Sequence, residues 1–368
     1  MYLQRVVLRN FRNIDTVDLE LARGINILYG ENAQGKTNFL ESVYFCATGR
    51  SHRTNRYRDL IMMSEKEAGI KVIIQSREEG AVDEIRMGIR REGKFSAVNG
   101  VSLRKLSELY GRLSVVIFSP EDLSLTKAGP AGRRRFLDME LCQLYPAYYH
   151  NLKMYHQVLK QRNNLLKKLV SNRGLLETLG AWDEQLVEYG NKIMKARRRF
   201  VSRLGHIAAE NQRNITGNRE NLEMIYRNNV EENDFFMMLK NNISVDISRG
   251  STTLGIHKDD IEFRINGADG RNFASQGQQR TAVLSVKLAE IEIVREEKGH
   301  SPVLLLDDVL SELDRGRQNY LLDKIEGLQT IITLTGAESA VGGYLRKADV
   351  RVFGVENGAI SLTSNILR

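Results

Sequence analysis

Gly30-Glu31-Asn32-Ala33-Gln34-Gly35-Lys36-Thr37 fills every fixed position of the pattern GxxxxGK[ST], and the reading of the whole chain follows from it. The six residues before it, Gly24 to Tyr29, read as a short buried strand, and Asn38 to Ala47 read as a helix. The glycines therefore fall at a strand-to-helix turn, the context in which this pattern cradles a triphosphate. Glycine lets such a loop curl until successive backbone N–H groups point inward, and the helix N-terminus adds partial positive charge. In that geometry Lys36 reaches the β- and γ-phosphates, and the Thr37 hydroxyl is a ligand for Mg²⁺.

The C-terminal half supplies the matching half of a pocket. Ser301 to Leu306 is an apolar run closed by Asp307 and Asp308, as expected of a central parallel strand that ends at a catalytic edge. Asp307 is the expected Mg²⁺ partner, because a hard cation prefers oxygen ligands. Asp308, on the other side of the strand end, is the expected catalytic base. Upstream, Ser275-Gln276-Gly277-Gln278-Gln279-Arg280 opens a long helical pattern with Ser275 as N-cap, and Ser311-Glu312-Leu313-Asp314 follows the acidic strand.

The order of these elements resembles the ATP-binding cassette superfamily: phosphate loop, then a Ser-x-Gly-Gln signature, then the acidic strand, then a D-loop. The opening Met1 to Asn13, a strand ending in Asn-Phe-Arg-Asn and followed by a second strand from Thr16 to Leu21, resembles the RecF, SMC and RecN group. With residues 30–38, 275–280 and 304–314 in register, the similarity to the RecF family spans essentially the full chain. That resemblance implies an α/β fold. An ABC-type P-loop ATPase head would be built from residues 1–118 and 299–368, with a mainly helical lobe over 119–298. It also implies ATP and Mg²⁺ as ligands. Two copies would form an ATP-dependent homodimer in which Ser275, Gly277 and Gln278 of one grip the nucleotide held by the other, with Ser311 and Asp314 at the interface. The family further implies binding to double-stranded DNA beside single-strand gaps in the cytoplasm. RecR and RecO would be its partners in RecA loading during repair, replication restart and the SOS response. Asp308 stands where cassette ATPases usually carry Glu, so slow hydrolysis is expected, and the resemblance implies that this weak ATPase depends on DNA. The strand from Thr330 to Thr335 offers only Thr333 and Thr335 where transporters place a switch His. Val115 to Asp122 offers no Gln for a Q-loop.

With 368 residues and 42% hydrophobic content the chain can bury a core and has room for about two domains. Its 54 Lys and Arg against 46 Asp and Glu favour polyanionic partners. Nothing approaches a membrane span, and Cys46 and Cys142 sit in apolar helical contexts that suit a reducing compartment. Between Arg133 and Asn214 the pattern is helical. Leu152, Tyr155, Leu159, Arg162, Leu166 and Leu169, then Leu179, Trp182, Leu186, Tyr189, Ile193, Ala196 and Phe200, trace a short antiparallel coiled-coil arm around the turn Ser171 to Gly174. Basic residues crowd this arm, giving Arg133, Arg134, Arg135, Lys167, Lys168, Arg197 and Arg198 as candidate phosphate contacts. Arg50, Arg53 and Arg56 form a second cluster that suits DNA or ribose phosphate. His257 and Lys258 of Gly255 to Asp260 are read either as a phosphate sensor or as a structural turn. The competing readings are a small-molecule P-loop kinase, a short SMC-like structural ATPase and a transporter ATPase. The last predicts a switch His and no arm.

Overall fold

The computed structural model describes residues 1–75, 81–127, 129–335 and 349–363. The chain divides into two compact units, Met1–Leu123 with Lys287–Arg368 and Ser124–Val286. The first boundary thus falls a few residues beyond the expected 118. The second falls inside a helix instead of after it.

The first unit opens with β1 (Tyr2–Phe11), β2 (Ile14–Glu20), β3 (Ile25–Tyr29) and α1 (Lys36–Thr48). It continues with β4 (Glu67–Gln75), β5 (Val82–Arg90), β6 (Gly93–Val98), β7 (Val101–Ser102) and β8 (Val115–Phe118). The second unit holds α2 (Ser124–Lys127), α3 (Pro130–Leu144), α4 (Pro146–Leu169), α5 (Leu179–Thr216) and β9 (Leu222–Arg227). After these come α6 (Phe235–Asn241), α7 (Ile243–Arg249), β10 (Asp260–Ile265), β11 (Ala268–Asp269) and the start of α8 (Gln276–Lys298). Returning to the first unit, the chain adds β12 (Val303–Asp307), α9 (Arg315–Lys324), β13 (Thr330–Leu334), β14 (Val350–Glu356) and β15 (Ala359–Leu362).

Two sheets organise the first unit. One is antiparallel, in the order β2-β1-β4-β5-β6-β7, and buries alternate residues, as in Ala68, Ile70, Val72 and Ile74 of β4. The period of two leaves its other face to solvent. The second runs β15-β14-β3-β13-β12-β8 and is parallel except for the terminal hairpin β14–β15. β8, β12 and β13 are buried at every position, the pattern of strands covered on both faces. The phosphate-loop strand β3 is separated from the acidic strand β12 by β13. Parallel sheets present their ligand crevices at the carboxyl ends of the strands, and here those ends carry Gly30, Asp307 and Thr333.

In the second unit α4 and α5 pack along one another as the two legs of a hairpin. The buried stripe differs from the expected heptads: Val158, Asp183, Gly190 and Arg197 are buried, whereas Leu159, Trp182, Tyr189 and Ala196 are only partly so. One cause is that α5 also packs against β9 and α6, so its covered face is wider than a two-helix seam. Among the described residues no helix is long and apolar enough to cross a membrane.

Candidate active site

The phosphate loop joins β3 directly to α1. Gly35 has φ 120°, and a Cβ there would come within 2.9 Å of Asn13 Oδ1. A Cβ on Gly30 would stand 2.2 Å from the Val355 carbonyl oxygen. Both positions therefore exclude a side chain, the first by conformation and contact together and the second by contact alone. The loop borders a cavity of about 480 Å³ lined by Asn13, Asn32 to Asn38, Arg53, Pro120, Glu121, Asp307, Asp308, Thr333 and Thr335. Of the eight motif residues, Gly30 and Glu31 meet the site through their carbonyls, which accept from Lys36 Nζ at 2.5 and 2.6 Å. Burial lowers the Lys36 pKa, and the nearby Asp308 and Asp307 oppose that shift.

Asp307 is 4% exposed at the end of β12. Its Oδ1 accepts from the Thr37 hydroxyl at 2.9 Å and from the Thr333 hydroxyl at 2.9 Å. Burial raises the Asp307 pKa, and these two hydroxyls pull it back. Asp308 follows with φ 53°, an uncommon conformation for a residue with a side chain. Its N–H donates to Thr333 Oγ1 at 2.8 Å, and Ser311 Oγ donates to its carbonyl at 2.7 Å and lies 3.0 Å from its Oδ1. Thr333 is therefore not the free hydroxyl that a phosphate sensor needs, and Thr335 is left as the strand-end hydroxyl facing the cavity. Three lining residues were not expected in the site beforehand: Asn13, Pro120 and Glu121. Asn13 donates to the Gln34 carbonyl at 3.1 Å and accepts from Asn38 at 2.8 Å. Arg53, expected among DNA contacts, donates to Asn38 Oδ1 at 2.8 Å and pairs with buried Glu41 at 3.3 Å, which favours its ribose-phosphate alternative.

In the second unit Ser275 caps α8. Gln278 N–H donates to Ser275 Oγ at 3.2 Å, and Ser275 N–H donates to Gln278 Oε1 at 2.9 Å. This reciprocal box satisfies two terminal donors and leaves the exposed helix start rigid. The Gly277 carbonyl accepts from Thr281. Asp314 caps α9, accepting from Arg317 N–H at 3.1 Å, so both D-loop side chains already have bonds within their own chain.

The basic residues part into distinct groups. The expectation that Arg133 and Arg197 contact DNA is overturned. Arg133 is 5% exposed and clamps Asp260 through two hydrogen bonds of 2.7 and 2.8 Å. Arg197 is 1% exposed and donates to Asp138 at 2.8 Å, Asp259 at 3.0 Å, Tyr148 at 3.0 Å and the Ile256 carbonyl at 2.8 Å. Arg134 donates to the Asp259 carbonyl at 2.7 Å, and Arg198 pairs with Glu232 at 2.9 Å and Glu231 at 3.3 Å. Arg135 is half-buried, whereas Arg50, Arg56, Lys167 and Lys168 are exposed.

Residues 255–260 close the same knot, which favours the structural reading of His257. Its Nε2 lies 3.1 Å from the Thr252 carbonyl, which can only accept, so Nε2 carries the proton and Nδ1 accepts from Tyr155 OH at 2.9 Å. Burial pushes this imidazole down to about 4. Below about pH 6.5 the unfolded chain takes up a proton that the folded chain refuses until about 4, so stability falls as pH drops through that window. Relative to His257→Asn, the native chain should lose about 2–3 kcal/mol between pH 7.5 and 4.5. Urea unfolding of both at the two pH values measures this; equal pH slopes would refute it.

Comparison with known proteins agrees with this geometry. The family described as the RecF/RecN/SMC N terminal domain matches residues 2–359. The DNA replication and repair protein RecF of Lachnoclostridium phytofermentans is 46% identical, over 98% of this chain and 99% of its own, and that of Clostridium novyi is 44% identical, over 98% and 100%. The solved structure of the recombination mediator protein RecF-ATP superposes with a TM-score of 0.91 at 36% identity, covering 99% of this chain and 98% of its own. An Smc head domain from Pyrococcus furiosus, with a TM-score of 0.56 at 15% identity over 98% and 96% of the two chains, shares the fold. A cradle at residues 30–37, paired carboxylates at 307 and 308 and near-full-length similarity therefore make this chain a member of the RecF family.

Proposed function

We propose that the protein is a Mg²⁺-dependent ATPase of DNA repair and replication restart, in which ATP joins two copies around duplex DNA beside single-strand gaps and hydrolysis releases them. One observation carries this: a lysine, a threonine hydroxyl and two carboxylates converge on one cavity, with Thr37 Oγ1 only 2.9 Å from Asp307 Oδ1. That oxygen pair is the donor set a hard cation takes, so Thr37 and Asp307 would hold Mg²⁺. Bound there, Mg²⁺ would neutralise phosphate charge and favour departure of ADP as the bridging P–O bond to the terminal phosphorus breaks. The loop N–H groups and Lys36 orient the triphosphate. Asp308 holds the attacking water and takes its proton as the oxygen attacks the terminal phosphorus. Its side chain is one methylene shorter than the usual Glu, which supports slow turnover. Ser275 and the N-terminus of α8, from the second copy, would close over the terminal phosphate.

The reading of DNA contact rests on α4, whose 24 residues contain no Asp or Glu and whose outer face exposes Lys153, Lys160, Lys167 and Lys168. Such a face suits duplex phosphates, and binding through it should weaken steeply with salt. RecR and RecO as partners are supported by the RecFOR pathway in which the solved RecF structures are set, and RecA loading is proposed from the family resemblance alone.

Sedimentation velocity and ATP turnover test the clamp. Asp308→Asn should lower kcat by about 10²-fold or more, the scale of losing a general base, and accumulate an ATP-bound dimer. Ser275→Ala should keep nucleotide affinity within about threefold, since its hydroxyl acts on the other copy's phosphate, yet show no ATP-dependent dimer. Identical oligomers for both variants, with and without ATP and duplex DNA, would rule the clamp out.

A further inference from the structure

The β12–β13 register sets Thr333 opposite Asp307, and the consequence reaches both carboxylates. The Thr333 hydroxyl has one hydrogen, which goes to Asp307 Oδ1 at 2.9 Å, while its oxygen accepts the Asp308 N–H at 2.8 Å. One buried side chain on the neighbouring strand thus ties the last residue of β12 to the first residue beyond it. Asp308 needs such a tether, because at φ 53° the chain has left the extended conformation for one that a residue with a side chain seldom holds unaided. Ser311 restrains the same residue from its carbonyl side. On Asp307, the hydroxyls of Thr37 and Thr333 meet a single carboxylate oxygen, which fixes the plane of the carboxylate relative to the phosphate loop.

We propose that Thr333 is a positioning residue for ATP hydrolysis, a hydroxyl clamp that sets Asp307 to receive the cation and Asp308 to receive the proton of the attacking water. This rests on the ATPase reading above. Thr333 reaches the reaction through its two neighbours. The alternative is a purely structural hydroxyl that pairs two strands and leaves the carboxylates' work unchanged.

Thr333→Val keeps the branched shape that suits a buried strand and removes only the hydroxyl. Binding of a fluorescent ATP analogue, measured with EDTA and then with Mg²⁺, separates the roles without reference to turnover. The native protein should gain affinity on adding Mg²⁺. Thr333→Val should bind within about twofold of native in EDTA, lose at least tenfold of the Mg²⁺-dependent gain, raise KM for Mg²⁺·ATP by a similar factor and lower kcat at least tenfold. Thr333→Ser, which restores the hydroxyl, should return these quantities to within about threefold of native. Should Val destabilise the strand, Thr333→Ala against Thr333→Ser gives the same hydroxyl comparison. A native Mg²⁺-dependent gain that Thr333→Val fully retains overturns the clamp and leaves the ATPase reading intact. A native protein that binds no ATP analogue in either condition overturns both.

Discussion

Arg197→Met should cost the second unit about 3–5 kcal/mol, seen as a large fall in its urea midpoint, because it removes one member of a buried charge network and leaves the others in place. Asp138 and Asp259 would keep their positions without the guanidinium that now bonds both at 2.8 and 3.0 Å. Tyr226 and the Asn229 N–H would still donate to Asp259, so that carboxylate would remain solvated in part by protein donors but lose its counter-charge. The penalty should shrink as pH falls. Burial already raises the Asp259 pKa, and losing Arg197 raises it further, so the folded state takes up a proton before the unfolded chain does. A carboxylate with a raised folded pKa destabilises most above that pKa, and the loss is relieved as it protonates. Arg197→Lys should recover part of the loss, since an ammonium restores the charge but not the forked geometry that reaches Asp138, Asp259 and the Ile256 carbonyl together. The same experiment separates the buried role from the phosphate contact first expected of this residue. A phosphate contact would leave the midpoint unchanged and reduce the salt dependence of DNA binding.

That contrast shows where reading the chain in one dimension stops. Residues 30–37 were legible because their demands are local: a glycine where no Cβ fits, then a lysine and a hydroxyl on the first turn of a helix. Ser275 was legible for the same reason, since an N-cap and its partner Gln278 lie three positions apart. The acidic strand announced itself by an apolar run ending in two carboxylates. By contrast, the sign of a charge says nothing about what stands opposite it. Arg133 and Arg197 read as free cations because Asp260 and Asp259 lie 127 and 62 positions away. The heptad trace failed at Asp183 and Arg197 because each is buried as half of an ion pair, Asp183 with Arg162 and Arg197 with Asp138 and Asp259, and an apolar heptad pattern does not encode such pairs. Asn13 and Glu121 arrive in the cavity from separate connections, and the double bond of Thr333 exists only once β12 and β13 are in register.

Lys36→Ala should abolish measurable nucleotide binding, with a loss of at least about 100-fold, or roughly 2.8 kcal/mol, and with it any ATP-dependent dimer. Lys36 is itself buried beside two acidic groups, although the loop around it is open, and those carboxylates hold its charge against the burial that would remove it. Deleting the ammonium removes a charge-assisted contact to phosphate, worth about 1.5–3 kcal/mol. It also leaves Asp307 and Asp308 facing the triphosphate without the cation that offsets them, so repulsion adds to the lost attraction. The fold should survive. Position 36 opens α1, where alanine is the best helix former, and the two carbonyls that Lys36 now bonds, those of Gly30 and Glu31, border a cavity open to water. Circular dichroism and the thermal midpoint should therefore stay near native while equilibrium binding of a fluorescent ATP analogue disappears. Sedimentation should give the same species with and without ATP. Retention of ATP affinity within about threefold would mean that the loop holds the triphosphate through backbone N–H groups alone. The lysine would then have no part in gripping phosphate, and an ATP-driven clamp would need another source of positive charge.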